Sequence, residues 1–244
     1  MLLEACVNSA ISALEAQKGG ADRVELCENM ADGGCTPSAG TIMTAKKYLG
    51  IPLFVMIRPR GGDFLYSDLE FEIMKKDLLL AKELGADGVV FGILQEDGRI
   101  DSERMSELNE MARPMSTTCH RAFDMTRDPF EAVEDLILIG LDRILTSGQS
   151  DSAVDGGLLI RRLIEKAMNR IIIMPGHGIK EYNIMEAINS TGANEFHLYL
   201  PGLVTSKMKF VRDYIKMGSA GLPEYLTTVV DSEKVRSVKE KMQG

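Results

Sequence analysis

Short apolar runs alternate along this chain with longer stretches in which apolar positions recur every three or four residues. The first pattern marks a strand buried on both faces, the second an amphipathic helix. Strands are expected over Leu2–Val7, Arg23–Cys27, Ile51–Ile57, Ala86–Gly92, Asp142–Thr146, Arg170–Met174 and Glu195–Leu198, and in Thr117-Thr118-Cys119, which runs into the polar turn His120-Arg121-Ala122-Phe123-Asp124. Helix boundaries carry their own chemistry. Asn8 or Ser9 caps a helix that stops at Gly19-Gly20, Ser38 one that ends near Leu49-Gly50, and Ser67 or Asp68 one that reaches Leu84-Gly85. Asp101 opens a helix ahead of Pro114, and Asp128-Pro129 opens one that stops at Gly140. Further helices are expected over Gly156–Met168, Lys180–Thr191 and Ser232–Met242.

Eight strand–helix units predict an α/β fold of the (β/α)8 TIM-barrel type, with functional residues at the C-terminal strand ends. The alternative, an open doubly wound sheet, lacks its G-x-G-x-x-G after the first strand. One domain is expected over residues 1–244, close to the ~250 typical of such a barrel. An irregular 199–231 segment, interspersed with Gly, Pro and Lys, separates the eighth strand from the last helix.

Side chains alternate faces along a strand. If Leu3, Ala5, Val7, Val24, Leu26, Val55 and Ile57 face the helices, then Glu4, Cys6, Glu25, Cys27, Met56 and Arg58 point into the barrel. Thr118 and His120 point inward too, and Glu195 and His197 share an inner face. Buried carboxylates are costly unpaired, so these need Arg58, His120, Arg121 or a bound cation nearby.

Composition narrows the function. A net charge of -8 argues against a nucleic-acid partner. No apolar run approaches the ~20 residues that span a bilayer, and no basic-then-apolar leader opens the chain, so a cytoplasmic protein is expected. The four cysteines are scattered without a C-x-x-C, consistent with free thiols in a reducing compartment. Most of the 15 methionines are expected to fill the core, with no cluster at metal-ligand spacing.

Three chemistries remain. Cys6 and Cys27 each lie two residues after an inward glutamate, which places the thiols in corresponding layers of adjacent strands, ~4.8 Å apart. Such a pair suits Cu(I), which takes soft ligands, although a buried cysteine is also a common small core residue. Cys35 could approach the same mouth, while Cys119 is expected to face the outer core. The second chemistry is acid–base catalysis on a small anionic substrate, phosphorylated or carbohydrate-like. His120 would be the acid or base, with Glu4, Glu25 and Asp124 as further catalytic carboxyls. Arg58, Arg60, Asp63, Arg121, Ser147 and His197 would bind the substrate, and the Gly176 turn would offer N–H groups to an anion. No strained serine elbow or strand-end lysine points to acyl-enzyme or Schiff-base chemistry. The third reading is a structural or interaction protein whose polar interior is a buried ion-pair network.

Several segments carry a more specific likeness. Ala21-Asp22-Arg23-Val24-Glu25-Leu26-Cys27, Gly34-Cys35-Thr36-Pro37-Ser38-Ala39-Gly40, Val55-Met56-Ile57-Arg58-Pro59-Arg60-Gly61-Gly62-Asp63-Phe64, His120-Arg121-Ala122-Phe123-Asp124, Leu145-Thr146-Ser147-Gly148-Gln149 and Ile173-Met174-Pro175-Gly176 closely resemble the CutC copper-homeostasis family, and the likeness reaches about His197. The resemblance implies a cytoplasmic TIM barrel linked to copper tolerance, handling or delivery, assembled as a dimer or higher homo-oligomer. It also implies a polar mouth at Glu4, Glu25, Arg58, Arg60, Asp63, His120, Arg121, Asp124, Ser147 and His197, with copper thiols at Cys6 and Cys27. The chain departs from the family pattern at Cys119, where relatives usually carry Phe, at His177, which interrupts a run of glycines, and over Tyr199–Leu222, which is poorer in glycine and arginine.

Overall fold

The structure is a computed structural model that describes residues 1–212, 214, 215, 217 and 224–243. Its strands are β1 (Leu2–Val7), β2 (Arg23–Leu26), β3 (Leu53–Met56), β4 (Gly88–Phe91), β5 (Ser116–Cys119), β6 (Arg143–Thr146), β7 (Ile172–Pro175) and β8 (Glu195–Leu198). They form one parallel eight-stranded sheet in the order β7-β6-β5-β4-β3-β2-β1-β8, and a parallel bridge between Gly176 and His197 joins its two ends. Helices α1 (Ala10–Gly19), α2 (Ala39–Tyr48), α3 (Asp68–Glu83), α4 (Ser102–Ala112), α5 (Pro129–Ile139), α6 (Gly157–Ala167), α7 (Ile184–Thr191) and α8 (Ser232–Gln243) alternate with the strands. The expected (β/α)8 TIM barrel is the observed fold.

Ser9, Ser38, Ser67, Asp101 and Asp128 each accept a backbone N–H at a helix start, and Ser67 with Glu70 completes a capping box. Several paired strands are shorter than their apolar runs because those runs continue beyond the ladder; the Ile57 N–H, just past β3, still bonds the Val90 carbonyl at 2.8 Å. Helix α7 starts at Ile184, not Lys180. Asn183 takes the Lys180 N–H on its side-chain oxygen and donates to the Gly178 carbonyl, which locks the preceding residues in a turn. The segment expected to be irregular contains an antiparallel ribbon, β9 (Pro201–Thr205) with β10 (Leu226–Val230). Leu203 and Val204 in β9 are both exposed, so no buried/exposed alternation announces that strand. Residues 213, 216 and 218–222 of the Tyr199–Leu222 segment lie outside the described residues.

The strand parities hold, with one shift. Cys6 stands beside Glu25 and Glu4 beside Arg23, so β2 is offset from the expected level pairing of Cys6 with Cys27. Such stagger is what closing a barrel requires. The offset puts Arg23, Glu4 and His197 in one row across β2, β1 and β8. Arg23 binds Glu4 through Nε and Glu195 through Nη2 at 2.9 Å, while Arg143 reaches the same Glu195 oxygen at 2.7 Å. Both guanidiniums pack on the Phe54 ring, at 4.7 and 5.6 Å from its centroid. Glu4 is thus neutralised from within the barrel by Arg23 and His197, not by Arg58, His120 or Arg121 as the sequence led us to expect.

Burial alone would raise the Glu4 carboxyl, but the His197 hydrogen bond and the Arg23 charge outweigh it and bring it down to about 2. Its folded pKa lies below the unfolded one. The ionised carboxylate therefore contributes stability above about pH 4.5 that is lost as pH falls toward 2. Glu4→Gln keeps the shape but removes the carboxylate shared by Arg23 and His197, leaving Arg23 with Glu195 alone, so it is expected to cost about 3 kcal/mol at neutral pH. Urea denaturation checks this; an unchanged midpoint would show that the row does not depend on the Glu4 charge.

Candidate functional site at the barrel mouth

Above this row the strand ends open on a cavity of about 510 Å³. Cys6 reaches it from β1, Glu25 from β2, Cys27 and Arg58 from just beyond β2 and β3, His120 from just beyond β5, and His197 from β8. These are C-terminal strand ends, where a TIM barrel carries its function.

The Cys6 and Cys27 sulfurs lie 3.6 Å apart, as two thiols and not a disulfide. Hydrogen bonding to Cys27 and burial push the Cys6 thiol well up, so it holds its proton until something displaces it. Met30 adds a third sulfur, 3.3 Å from Cys27 Sγ. The loop after β2 folds back through a bridge between Glu28 and Cys35, and the short 3-10 turn Met30–Asp32 brings the thioether over the thiols. A side chain at Gly34 would place its Cβ 3.3 Å from Cys27 Sγ, and the backbone there is left-handed (φ 91°), so glycine lets the loop lie directly on the sulfur. Cys35 is held in the bridge and does not line the cavity; its sulfur accepts from Asn29 at 3.8 Å. Cys119 faces the outer core as expected, and burial raises its thiol to about 12.

Glu25 has an unusual environment. Its Oε2 is 3.7 Å from His197 Nε2, and its Oε1 has no hydrogen-bond partner. Burial raises the carboxyl to about 7 against the pull of His197. His197 is itself raised: burial lowers it, but Glu25 and Glu4 on its two sides more than compensate. Donor atoms of Cys6, Glu25 and Cys27 lie within 4.8 Å of one another, as do those of Glu4, Glu25 and His197, so Glu25 joins the thiols to the ionic row.

His120 has a defined tautomer. Its Nδ1 accepts the Ala122 N–H at 3.1 Å, which leaves the proton on Nε2, and Nε2 is buried without a partner. Burial and the Arg58 charge lower the ring to about 3. The imidazole is neutral at physiological pH and presents a donor, so of the acid and base roles read from the sequence the Nε2 atom as it stands offers a proton and not a lone pair.

The remaining residues separate into groups. Arg58 binds the carbonyls of Asp32, Gly34 and Gly62 at 2.7–2.8 Å, stapling the loops after β2 and β3. Arg60 turns away to Glu70 and Asp63, building the loop before α3, and neither Arg60 nor Asp63 lines the cavity. Asp124 accepts from Arg121 (2.7 Å), from the Ser147 hydroxyl (2.9 Å) and N–H (3.0 Å), and from Thr146. It is a saturated anchor that fixes Arg121 and Ser147 beside the mouth. Gly176 commits its own N–H to the Thr146 carbonyl at 2.9 Å, so that amide is not free for an anion. A Cβ there would come within 2.4 Å of Leu145, so its glycine serves barrel closure.

Sequence reasoning missed Arg23, Arg143 and Met30. The two arginines had a signal, since Arg23 shares the parity of Glu25 and Arg143 that of Leu145 and Ser147. Met30 had none, because periodicity does not fix the path of a loop.

A closed (β/α)8 barrel with a thiol pair and a polar cavity at its strand ends defines a TIM-barrel protein with a candidate site at its mouth. The CutC family model matches residues 1–201, and the chain belongs to the CutC family, the copper-homeostasis family. It is 50% identical over 238 residues to the human copper homeostasis protein cutC homolog, covering 97% of this chain and 87% of that one. It is 51% identical to a CutC family protein of Parabacteroides distasonis, covering 97% and 98%. The solved structure of a CutC protein from Streptococcus agalactiae superposes with a TM-score of 0.77 at 39% identity, over 81% of this chain and 97% of that one.

The raised Glu25 pKa yields a signed prediction. Its folded value lies above the unfolded one, so stability falls as pH rises from about 4.5 to about 7 and is then level. Glu25→Gln removes that titration. Its stability relative to the parent is expected to rise across this window, ending about 3 kcal/mol higher at pH 8 than at pH 4. Urea unfolding at a series of pH values reads the difference; a pH-independent gap would place the Glu25 pKa near its ordinary value.

Proposed function

We propose that this CutC-family protein binds Cu(I) as its cargo, through Cys6 and Cys27 with Met30 as a third soft donor. The approach of the two thiols to 3.6 Å at the floor of the cavity carries this reading. Thiolates and thioethers together favour Cu(I) over harder ions. Binding forms two Cu–thiolate bonds and releases two protons. Glu25, a carboxyl raised to about 7 beside Cys6, is placed to take the first, and His197 offsets the negative charge left on the complex. Because protons leave, affinity rises with pH.

The cytoplasm, whose reducing poise keeps such thiols free, is the proposed location. Among the described residues no helix is long and apolar enough to cross a membrane. A homo-oligomer is also proposed, on the exposed side chains of Leu203, Val204, Met208 and Phe210 along the ribbon and the segment after it.

Anaerobic titration of reduced protein with Cu(I) against a competing chelator tests the metal site. One tight site is expected, abolished in Cys6→Ser/Cys27→Ser and weakened at least tenfold in Met30→Ala. Undiminished affinity in the double variant would overturn the assignment. Sedimentation of the same samples tests the assembly, and a monomer at all concentrations would exclude the oligomer.

A further inference from the structure

Copper accounts for the sulfur corner of the cavity and leaves most of it unexplained. A volume of about 510 Å³ lies within the roughly 300–1,000 Å³ of small-molecule sites. The lining has a distinct electrostatic character. Arg58, Arg121 and Lys180 reach it in a chain whose net charge is -8. Arg121 is offset by Asp124. Arg58 and Lys180 have no carboxylate within 4.0 Å among the described residues; their hydrogen bonds go to carbonyls, and Lys180 Nζ donates to that of Tyr199 at 3.1 Å. Arg58 is only 5% exposed, so its uncompensated charge is costly as the protein stands. His120, 3% exposed, adds the unpartnered Nε2–H. Two carboxyls share the lining. Asp32 is engaged by Asn29 at 2.7 Å, and Glu25 keeps a free acceptor oxygen.

We propose that the cavity also binds a small hydroxylated organic anion, whose carboxylate or phosphate group is held by His120 Nε2–H and the Arg58 and Lys180 charges, with a hydroxyl donating to Glu25 Oε1. The anion supplies the acceptor that the buried imidazole lacks and the negative charge that Arg58 lacks, and its hydroxyl satisfies the orphaned carboxyl oxygen. The site goes beyond the copper reading and does not depend on it, because none of its donors is a thiol.

The test uses the full-length Cys6→Ser/Cys27→Ser protein, in which the proposed copper ligands are gone. Malate and glycerol 3-phosphate are titrated by calorimetry, with glycerol as the uncharged control, and the His120 ring is followed by nitrogen NMR. At least one anion is expected to bind, to shift the His120 Nε2 resonance, and to lose tenfold or more in affinity in Lys180→Ala and in His120→Phe. Glycerol is expected to do none of this. Preference for malate or for glycerol 3-phosphate identifies the head group as carboxylate or phosphate. Binding no better than glycerol for both anions overturns the proposal. So does anion binding that leaves His120 unshifted and Lys180→Ala unimpaired. Lys180 is only partly buried and away from the core, so that variant keeps the test decisive if His120→Phe fails to fold. A failure of copper binding in the parent would leave this result standing, and the reverse holds equally.

Discussion

Glu4, Arg23, Arg143 and Glu195 neutralise one another inside the barrel, and the mouth owes its properties to that exchange. Two carboxylates and two guanidiniums with little contact with water could not persist there singly. Together, and packed on Phe54, they form a charged layer with its main hydrogen-bonding groups engaged. His197 extends the layer upward, since one ring nitrogen is held by Glu4 and the other faces Glu25.

What this layer leaves undone defines the site. Glu4 takes Arg23 and the nearer side of His197, so Glu25 receives only a 3.7 Å contact and keeps an unbonded oxygen. That is why two carboxyls on neighbouring strands move apart in pKa, one to about 2 and the other to about 7. The environments assign them different roles, an approach general to sites that need an ionised group beside a protonatable one. Glu4 is a fixed charge that orients His197. Glu25 is a protonatable carboxyl with an oxygen within 4.8 Å of the Cys6 sulfur. The same contrast separates Arg60 and Asp124, whose partners are complete, from Arg58 and His120, which retain unpartnered N–H groups. Among the described residues, three of the four buried polar side-chain atoms without a partner belong to Glu25, Arg58 and His120, which line the cavity; the fourth is the Tyr66 hydroxyl, outside it.

Much of this was legible in the sequence. Apolar runs and helix caps located the eight units, and alternation along the strands put Glu4, Cys6, Glu25, Cys27 and His197 inside. Attention to strand ends hid Arg23 and Arg143, which begin their strands and therefore lie at the opposite end of the barrel. The partners of Glu4 were misassigned for that reason. The tautomer of His120 depends on one backbone N–H two residues away, and the position of Met30 on a left-handed residue and a 3-10 turn, neither of which has a periodic signal. The ribbon β9–β10 escaped notice because it does not bury one face.

The central claim is that the floor of the mouth is a sulfur site for Cu(I). X-ray absorption at the copper edge of the protein loaded with one equivalent of Cu(I) tests it most directly. The account predicts a first shell of sulfur alone, three neighbours in the parent and two in Met30→Ala. A first shell of nitrogen or oxygen, or a sulfur shell that persists in Cys6→Ser/Cys27→Ser, would contradict it.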